Sequence, residues 1–595
     1  MMPVDVRAVG VTFPKRPLAG TALDPSDPYA RQSETFPRLT PDQAQRVVAF
    51  GVVQRLVRGT VLFECGDRRP DFFLVLDGFV EVYESRGGAE RVMYAHQRNQ
   101  FTGELTIFNE RAVIVGARMG ADGTVARLSP PQFRRLLAAE PDIANVVMQA
   151  FILRREGLIL HGHTPVQIIA PQRSAESLQL QQFLTRNRHP YLLAHPESDP
   201  EAASRLSELG LTIEDTPVVL CGGGRAVVSP TARELGDTLG IAESLHPSHV
   251  ADVVVVGAGP AGLAAAVYSA SEGLDTVVVE GHAPGGQAST SSRIENYLGF
   301  PLGISGADLA HFAQVQAQKF GAHIIVPREV VRLRTDSRPY ALELDDGTVV
   351  RGHTVVLATG ARYRRLPLPD IARFEGAGVH YAATAIEAAL CEGEEAIVVG
   401  GGNSAGQAAV FLSRHAAHVH VLVRGAGLAS TMSDYLVSRI KAAPERITLH
   451  PHTEVTALIG GRHVEAVTWR NQVTGDSETH RIPNAFLMLG AEPNTEWLNG
   501  AVALDDKGFV LTGDSPGPGG PGESYAPADP LVTSCPGVFA VGDVRRGSLK
   551  RVASAVGDGA VVVASVHQAL VDRRGDVPAS AAPPRYRPQS RCAPF

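Results

Sequence analysis

Two glycine-rich turns, each directly after a short apolar strand, limit what the C-terminal half of this 595-residue chain can fold into. The first, Gly257-Ala258-Gly259-Pro260-Ala261-Gly262, follows the apolar run 251–256 and opens a helical pattern. Such glycines permit a tight turn and let a pyrophosphate approach the backbone at a helix N-terminus. About twenty residues further on, a predicted strand ends in a carboxylate that is placed to accept hydrogen bonds from ribose hydroxyls. The predicted dinucleotide site comprises Gly257, Gly259, Pro260, Ala261, Gly262 and Glu280.

The second turn, Gly400-Gly401-Gly402-Asn403-Ser404-Ala405, follows the strand pattern 396–399 and predicts a second dinucleotide site. The next strand ends in Arg424, and a basic residue there can meet the adenosine 2′-phosphate of NADPH, whereas an acidic residue would favour NADH. Two such sites in one chain imply a flavin and a nicotinamide. We therefore predict FAD and NADPH as cofactors, with NADH as the alternative. The predicted nicotinamide-nucleotide residues are Gly400, Gly402, Asn403, Ser404, Ala405 and Arg424.

Four further segments, 284–290, 294–301, 357–360 and 542–559, resemble the flavin-site blocks of the low-molecular-weight thioredoxin reductases, in the same order. This resemblance implies an FAD domain at 250–366 and 485–575, an inserted NAD(P) domain at 367–484, and a homodimer through the flavin domain. It places Gly286, Gln287 and Asn296 along the isoalloxazine and ribityl, and Val552 and Ala553 at the pyrimidine edge. It also assigns the ribityl hydrogen bond to Asp543. The implied FAD residues are Gly286, Gln287, Asn296, Thr359, Gly360, Gly542, Asp543, Arg551, Val552 and Ala553.

The redox-active Cys-Ala-Thr-Cys of that family aligns with 382–385, where Ala382 and Ala385 stand at the two cysteine positions. Without a thiolate the thiol–disulfide exchange that reduces thioredoxin cannot proceed. Hydride transfer from the nicotinamide to flavin N5 belongs to the cofactors and needs only positioning, so no protein side chain is predicted to be catalytic. Cys391 precedes a run of acidic residues that should raise its pKa, and we expect it to be inert.

Residues 36–160 show short glycine-punctuated strands followed by a helical pattern over 136–160, with single strands expected at 59–63 and 71–82. The order resembles the cyclic-nucleotide-binding fold, a β-roll capped by helices. The resemblance implies that Gly103, Glu104 and Arg111 contact a cyclic nucleotide. Val113 and Ile114 replace small and hydroxyl residues of that family, which favours the alternative of a β-roll kept as an interaction or regulatory surface.

Residues 163–247 read strand, helix, strand, helix, strand, strand and helix, an order that resembles the thioredoxin and glutaredoxin fold. Thr216-Pro217 stands where that fold carries its cis-proline. The position of the expected dithiol is occupied by 171–174, Pro-Gln-Arg-Ser. We therefore expect a redox-inactive docking or spacer domain, in which Cys221 packs as a small apolar residue.

Composition limits the classes of binding partner expected for this chain. The net charge of −7 supplies no basic surplus for nucleic acid. No run of roughly 18 apolar residues predicts a membrane span, and the N-terminus lacks the pattern of a signal peptide, so we expect a cytoplasmic location. The five cysteines show neither disulfide-framework nor zinc spacing, and no metal site is predicted. Residues 1–35 and 576–595 read as a poorly ordered arm and tail.

The predicted fold class is multidomain: a β-roll, an α/β thioredoxin-like module and two α/β Rossmann-like FAD and NAD(P) domains. The predicted function is an FAD-dependent NAD(P)H oxidoreductase that passes electrons to an acceptor such as a quinone, ferredoxin, oxygen or a small disulfide. One alternative is thioredoxin-disulfide reduction by a route without the Cys-x-x-Cys. An alternative of another class is a cyclic-nucleotide-responsive or redox sensor or scaffold.

Overall fold

The computed structural model describes residues 27–86, 89–103, 105–109, 111–161, 166–221, 225–243, 245–291, 293–513 and 530–575. Residues 1–26 of the predicted arm and the predicted tail 576–595 lie outside the described residues. The prediction of a poorly ordered arm is wrong for residues 27–35. Gln32–Thr35 form a short helix, α1, and Tyr29 stacks on His161 with ring centroids 4.7 Å apart. This aromatic contact fixes the start of the first module against its last helix.

The first module is a β-roll of two four-stranded sheets, with strand orders β1-β8-β3-β6 and β2-β7-β4-β5. Four buried phenylalanines, at 72, 101, 133 and 151, pack the first sheet against the helices. The elements are β1 (Val52–Leu56), β2 (Val61–Phe63), β3 (Phe72–Asp77), β4 (Val80–Arg86), β5 (Ala89–His96), β6 (Phe101–Thr102), β7 (Gly116–Met119), β8 (Gly123–Leu128), α2 (Pro41–Val48), α3 (Pro130–Ala139) and α4 (Pro141–Leu160).

Two boundary predictions in this module are wrong. The single strand expected at 71–82 is split into β3 and β4 by a turn at Gly78, whose φ of 74° is a conformation that favours glycine. The single helix expected at 136–160 is split at Glu140, because Pro141 has no N–H to continue the first helix and instead begins the second.

The second module is a four-stranded sheet in the order β10-β9-β11-β12, in which β9 and β10 are parallel and the other pairs antiparallel. Ser174 caps α5 by accepting the amide of Ser177, and Thr231 closes a capping box on α7. The Thr216–Pro217 peptide bond is cis. The elements are β9 (Gln167–Ile169), α5 (Ala175–Arg186), β10 (Leu192–Ala194), α6 (Pro200–Glu208), β11 (Val218–Cys221), β12 (Arg225–Val228) and α7 (Ala232–Thr238).

The third module is a Rossmann-type domain whose central sheet has the order β15-β14-β13-β18-β17-β16, with β29 added beside β18. Parallel β13 and β14 place the first glycine turn and Glu280 at the same edge of the sheet. The elements are β13 (Val250–Val256), α8 (Pro260–Ser271), β14 (Thr276–Val279), α9 (Gly306–Phe320), β15 (His323–Ile325), β16 (Val330–Arg334), β17 (Tyr340–Leu344), β18 (Val349–Leu357), β19 (Ala361–Tyr363), β29 (Val538–Ala540) and α13 (Val552–Gly575).

In the described part of the chain, one helical segment, Val552–Asp572 of α13, is long and apolar enough to cross a membrane, with a mean hydropathy of 1.3. Val562, Val563, Val566 and Leu570 on this helix are buried in the core that α8 shares with the central sheet. Packing inside the domain therefore accounts for the apolar composition of one face of α13.

The fourth module is inserted between β19 and β28 and has a parallel sheet in the order β20-β27-β21-β22-β23. The predicted domain boundary at 484/485 is wrong, because β27 pairs with β20 and β21 of the inserted sheet. The elements are β20 (Val379–His380), α10 (Ala385–Ala389), β21 (Glu395–Val399), α11 (Asn403–Leu412), β22 (His418–Leu422), α12 (Asp434–Lys441), β23 (Ile447–His450), β24 (Thr453–Ile459), β25 (Ala466–Asn471), β26 (Ser477–His480), β27 (Asn484–Leu487) and β28 (Ala491–Pro493).

Candidate functional site

The first glycine turn has the geometry of a phosphate cradle. Gly257 has a φ of 101°, and a Cβ there would lie 2.4 Å from the carbonyl oxygen of Ala358. A Cβ on Gly262 would lie 1.9 Å from the carbonyl oxygen of Gly257, so both positions require glycine. Gly259 is the N-cap residue of α8, and a Cβ placed on it would lie 4.0 Å from its nearest neighbour, the Cα of Gly286, so the space beside it is open. Pro260, Ala261 and Gly262 form the first turn of α8, whose N-terminus is suited to a pyrophosphate.

Glu280 ties this turn to the end of β14. One carboxylate oxygen accepts the amide of Ala258 at 2.8 Å, and the other accepts the amides of His282 at 3.0 Å and Ala283 at 3.3 Å. A carboxylate offers about four lone-pair sites, so acceptor capacity remains for a ribose hydroxyl. The predicted ribose residue thus also holds the loop that leads to Gly286.

The turn at Gly285 and Gly286 has positive φ angles of 106° and 52°. A Cβ on Gly286 would approach the Cα of Gly259 to 3.1 Å, which places this turn against the phosphate cradle. Gln287 donates from its side-chain amide to the carbonyl of Ala361 at 2.6 Å, directly after Gly360. Thr359 donates to the carbonyl of Asn494 at 2.8 Å.

The C-terminal part of the predicted FAD set also reaches α8. A Cβ on Gly542 would lie 2.9 Å from the Cβ of Ala261, and Asp558 accepts the Gly542 amide at 3.1 Å. Burial raises the pKa of Asp543, which accepts the Ser548 hydroxyl at 3.2 Å. Arg551, Val552 and Ala553 lie at the start of α13. Asn296 is exposed on the loop after β14, away from these contacts.

These residues fit FAD on their own geometry. Glycines whose Cβ would clash line the approach to α8, and a carboxylate with spare acceptor capacity stands at the end of β14. A second, half-buried carboxylate, that of Asp543, lies at the start of the C-terminal segment. Phosphates, ribose hydroxyls and a ribityl chain are the groups that such a donor and acceptor set recognises.

The second glycine turn repeats the arrangement in the inserted domain. A Cβ on Gly400 would lie 2.4 Å from the carbonyl oxygen of Met488, while Gly402 has no atom within 4 Å. Asn403 uses its side-chain oxygen to accept the amide of Ser433 at 2.7 Å, which fixes the start of α12. Ser404 and Ala405 follow in the first turn of α11. Arg424 is exposed at the end of β22 and forms no ion pair with any described residue, so its guanidinium is open to a phosphate.

Ala382 and Ala385 lie together on the wall of a cavity of about 930 Å³. The second module, the third module (the FAD-type domain) and the fourth module (the inserted domain) all contribute to this wall. Ala385 is exposed and begins α10, which Thr384 and Glu387 cap reciprocally. None of the residues predicted to hold FAD or NAD(P) lines this cavity. Pro284, Ser289 and Thr290, from the segment 284–290 that resembles a flavin-site block, do line it, so the cavity adjoins the predicted flavin site.

The surroundings of Cys391 agree with the expected rise in its pKa, and its inertness stays a prediction. Its side chain is fully buried, and burial, followed by the charges of Glu394 and Glu387, raises the pKa of its thiol to about 12. Cys221 is also buried, packs in the core of the second module and has a pKa raised by burial. A thiol that stays protonated is a poor nucleophile.

Three consecutive residues at the C-terminal end of α5 connect the second module to the third module, mainly at the loop 281–287, which we call the flavin loop. Sequence reasoning missed these contacts. Arg186 donates to the carbonyls of Ala283 at 3.1 Å and Gly286 at 3.3 Å. Asn187 donates to the carbonyl of His282 at 3.2 Å, and Arg188 pairs with Asp308. The single available signal was the cluster of polar residues at a helix C-terminus, which by itself indicates a capping role rather than a contact between domains.

The same helix also holds the inserted domain. Arg173, just before α5, pairs with Glu394 at 2.6 Å, and Gln182 donates to Glu387 at 2.7 Å. The second module therefore bridges the two nucleotide domains.

Of the predicted cyclic-nucleotide residues, Glu104 lies outside the described residues, and Gly103 has a φ of 146° beside Phe151. Arg111 is buried and donates to the backbone and side-chain oxygens of Asn187, each at 3.3 Å. Burial lowers its pKa to about 10. Val113 and Ile114 are buried in the core of the β-roll. Arg111 thus faces the second module, and a phosphate would have to compete with Asn187 for it.

Comparison with known proteins agrees with this architecture. The family model of pyridine nucleotide-disulphide oxidoreductases matches residues 251–559, and that of the cyclic nucleotide-binding domain matches residues 53–140. The chain is 32% identical to NADPH-dependent thioredoxin reductase 3 of Arabidopsis thaliana over 368 residues, which are 59% of this chain and 66% of that protein. It is 32% identical to a thioredoxin reductase of Streptomyces clavuligerus over 319 residues, which are 52% of this chain and 91% of that protein.

An NADH dehydrogenase of Bacillus subtilis is 29% identical over 350 residues, 59% of this chain and 64% of that protein. Among solved structures, the thioredoxin reductase of Lactococcus lactis matches 54% of this chain and 99% of its own, with 27% identity and a TM-score of 0.49.

Paired nucleotide cradles on two Rossmann-type domains, one inserted in the other, define an NAD(P)H-dependent, FAD-containing oxidoreductase. The chain belongs to the pyridine nucleotide-disulphide oxidoreductase family, with an N-terminal cyclic nucleotide-binding domain ahead of it.

Proposed function

We propose that the protein takes hydride from NADPH onto FAD and passes the electrons to an acceptor without an internal dithiol. The observation that carries the proposal is the position of Ala382 and Ala385 on the cavity wall beside the flavin loop, where neither side chain has a sulfur. FAD supplies the hydride-accepting chemistry, and the glycine cradles, Glu280 and Asp543 bind and orient it. Arg424 favours NADPH over NADH because it can pair with the 2′-phosphate.

The competing function within enzymes is reduction of thioredoxin disulfide by another thiol. Among the described cysteines, Cys391 and Cys221 have raised pKa values and are buried, which argues against it. The test uses the purified full chain. NADPH should bleach the flavin absorbance anaerobically, and a variant with every cysteine replaced by alanine should keep its NADPH oxidation rate with small acceptors. Turnover of thioredoxin that disappears in this variant would establish a thiol route and contradict the proposal.

We further propose that the second module is a thioredoxin-like domain that has become a bridge. Its strand order, its mixture of one parallel and two antiparallel pairings, and its cis Thr216–Pro217 bond support this relationship. Arg173 stands where a dithiol would lie and instead pairs with Glu394 of the inserted domain. An ion pair in place of a thiol makes the module a connector between domains.

A regulatory function of the β-roll is favoured by one chain of contacts. Arg111 binds Asn187, and Asn187 binds the carbonyl of His282 in the loop that Glu280 holds. An anion that drew Arg111 away would alter a contact to the flavin loop, provided that it binds the two arrangements with different affinity. Calorimetry with cAMP and cGMP tests this function. Absence of heat, together with unchanged NADPH oxidation, would leave the β-roll as a docking surface.

We also propose a homodimer that pairs the FAD-type domains through α8, α9 and α13. Tyr268, Phe312, Phe320 and Val561 expose between 38% and 59% of their surface on these helices. Clustered exposed apolar side chains of this kind mark association surfaces. Light scattering of the purified chain would reveal its mass.

A further inference from the structure

We propose that the three-module cavity beside Ala382 and Ala385 is the acceptor site, and that its occupant is a small planar quinone carrying a negative charge. This inference rests on the proposed function, because it assigns the missing acceptor to a place in the fold. The volume of about 930 Å³ lies within the range of small-molecule sites. The cavity lies beside the predicted flavin site, and none of the glycines that form the two phosphate cradles lines it.

The cavity adjoins the expected flavin position. Ser289 and Thr290 on its wall belong to the turn of 3-10 helix that begins with Gly286 and Gln287. Tyr363, also on the wall, shares a hydrogen bond with Thr290 at 3.1 Å. Ser289 and Thr290 are two and three positions after Gln287, which is predicted to line the isoalloxazine. The cavity therefore borders the expected flavin position.

The walls favour a flat, polar-edged ring. Tyr363 and Tyr381 have parallel rings, 10° apart in plane and 5.9 Å between centroids, and they present aromatic surface to the cavity. Hydroxyl groups of Thr185 and Ser291 supply donors for carbonyl oxygens. Offset stacking on an aromatic wall together with a hydroxyl donor is a suitable environment for a quinone.

Among the described residues, Arg186 on the wall has no carboxylate partner and can receive an anion, whereas the other four arginines are paired. Five arginines and three glutamates line the cavity: Arg186, Arg188, Arg362, Arg364, Arg365, Glu375, Glu387 and Glu492. Arg364 and Arg365 pair with Glu492 and Glu375 on the same wall, and Arg188 with Asp308. Arg186 forms no ion pair with any described residue: it donates to two carbonyls, and its buried Nε has no partner. Arg362, half exposed, has donors beyond those it gives to Glu496.

The reaction balances without another reductant. NADPH, a proton from water and the quinone give NADP⁺ and the hydroquinone, so two electrons and two protons reach the acceptor. Alanine at 382 and 385 leaves only methyl groups on this part of the wall, so a small ring has access where longer side chains would obstruct it.

The test fills the cavity with tryptophan side chains introduced in two different modules. Ala385→Trp and Gln179→Trp each place an indole on an exposed wall position, and Ala389→Trp and Glu176→Trp are exposed controls on the same two helices outside the wall. The probe is 1,4-naphthoquinone-2-sulfonate. Each wall variant should raise its KM by about tenfold or more, equivalent to the loss of roughly one decade of affinity, while the controls change neither KM nor kcat.

Two further measurements distinguish the effect of charge on the cavity wall from the effect of filling the cavity. Calorimetric titration of the oxidised protein with the same quinone, without NADPH, should give a Kd that the wall variants weaken and the controls preserve. Arg362→Gln should weaken the sulfonated quinone by about tenfold but leave neutral 1,4-naphthoquinone unchanged, as expected for one lost charge-assisted contact. Arg470→Gln is the matched control, because Arg470 is equally exposed and also paired with a glutamate.

The outcomes distinguish this site from the general function. Failure of NADPH to reduce the flavin anaerobically would overturn the proposed oxidoreductase route. The calorimetric titration without NADPH would still test, independently, whether the cavity binds the quinone. Normal flavin reduction with unchanged quinone KM and Kd in both tryptophan wall variants would overturn the acceptor site. Ferredoxin reduction that outpaces every quinone and is indifferent to the wall variants would also overturn it.

Discussion

Replacing Glu280 by glutamine is the sharpest test of the FAD cradle. The carboxylate accepts three backbone amides, at 2.8, 3.0 and 3.3 Å, from two different loops, and it is predicted to accept ribose hydroxyls as well. Glutamine has one acceptor oxygen and an amide group that cannot accept a hydrogen bond. At least one backbone contact and one ribose contact are then lost, each a hydrogen bond to a charged group worth about 1.5–3 kcal/mol. The backbone contact is present with or without FAD, so the change in affinity comes from the ribose contact, whose loss raises the Kd for FAD by roughly ten- to a hundredfold.

The assay is a titration of the apoprotein with FAD in which binding is measured by the quenching of flavin fluorescence. Glu272→Gln is the control, because Glu272 ends α8 and pairs with His567 on the outside of the same domain. Far-UV circular dichroism of both variants checks that the domain has folded. An unchanged Kd in folded Glu280→Gln would refute the assignment of the ribose site and the coupling of the two loops.

Three further predictions concern the nucleotide preference, the module interface and the assembly. Arg424→Glu should weaken NADPH by at least tenfold in KM and leave NADH within about twofold, because a carboxylate repels the 2′-phosphate; an unaltered NADPH-to-NADH ratio would contradict this. Burial raises the pKa of Glu243 from 4.5 to about 7, so the folded chain binds more protons than the unfolded chain across that interval and loses stability as pH rises. Glu243→Gln, which preserves the contact with Gln318, should therefore raise the free energy of unfolding in urea at pH 8 by up to roughly 3 kcal/mol and match the wild type near pH 4; equal free energies of unfolding for the two proteins at both pH values would show that the carboxylate is not penalised. Phe312→Glu should halve the mass measured by light scattering while Val473→Glu, on an exposed turn of the inserted domain, should not, and a monomeric wild type would remove the dimer.

The sequence predicted most successfully where the physical constraint is local. Gly257, Gly262 and Gly400 are required by contacts within a few ångströms of their own backbone or of the adjacent strand, so a pattern of glycines after an apolar run was sufficient. The order of strands and helices in the second module was predicted correctly, because caps such as Ser174 and Thr231 lie beside the turns that they close. Turn chemistry at Gly78 and Pro141 was visible in the sequence, but apolar periodicity on both sides outweighed it.

Contacts between modules could not be predicted from the sequence. Arg186, Asn187 and Arg188 reach residues about 100 positions away in the chain, and nothing in their spacing specifies those partners. Arg111 was predicted to face a phosphate inside the β-roll, and its contact with Asn187 depends on how two independently folded units dock. Likewise, the strand Asn484–Leu487 reads equally well as the end of one domain or the start of another until its hydrogen-bonded neighbours are known.

The helix Ala175–Arg186 and its flanking residues have a consequence for any motion of the enzyme. One end, through Arg173 and Gln182, holds the inserted domain, and the other, through Arg186 and Asn187, holds the flavin loop. A swing of the inserted domain about its two connecting strands would have to detach it from this helix or carry the whole module along. In either case, any such motion of the inserted domain involves a structure that lies outside both cofactor domains.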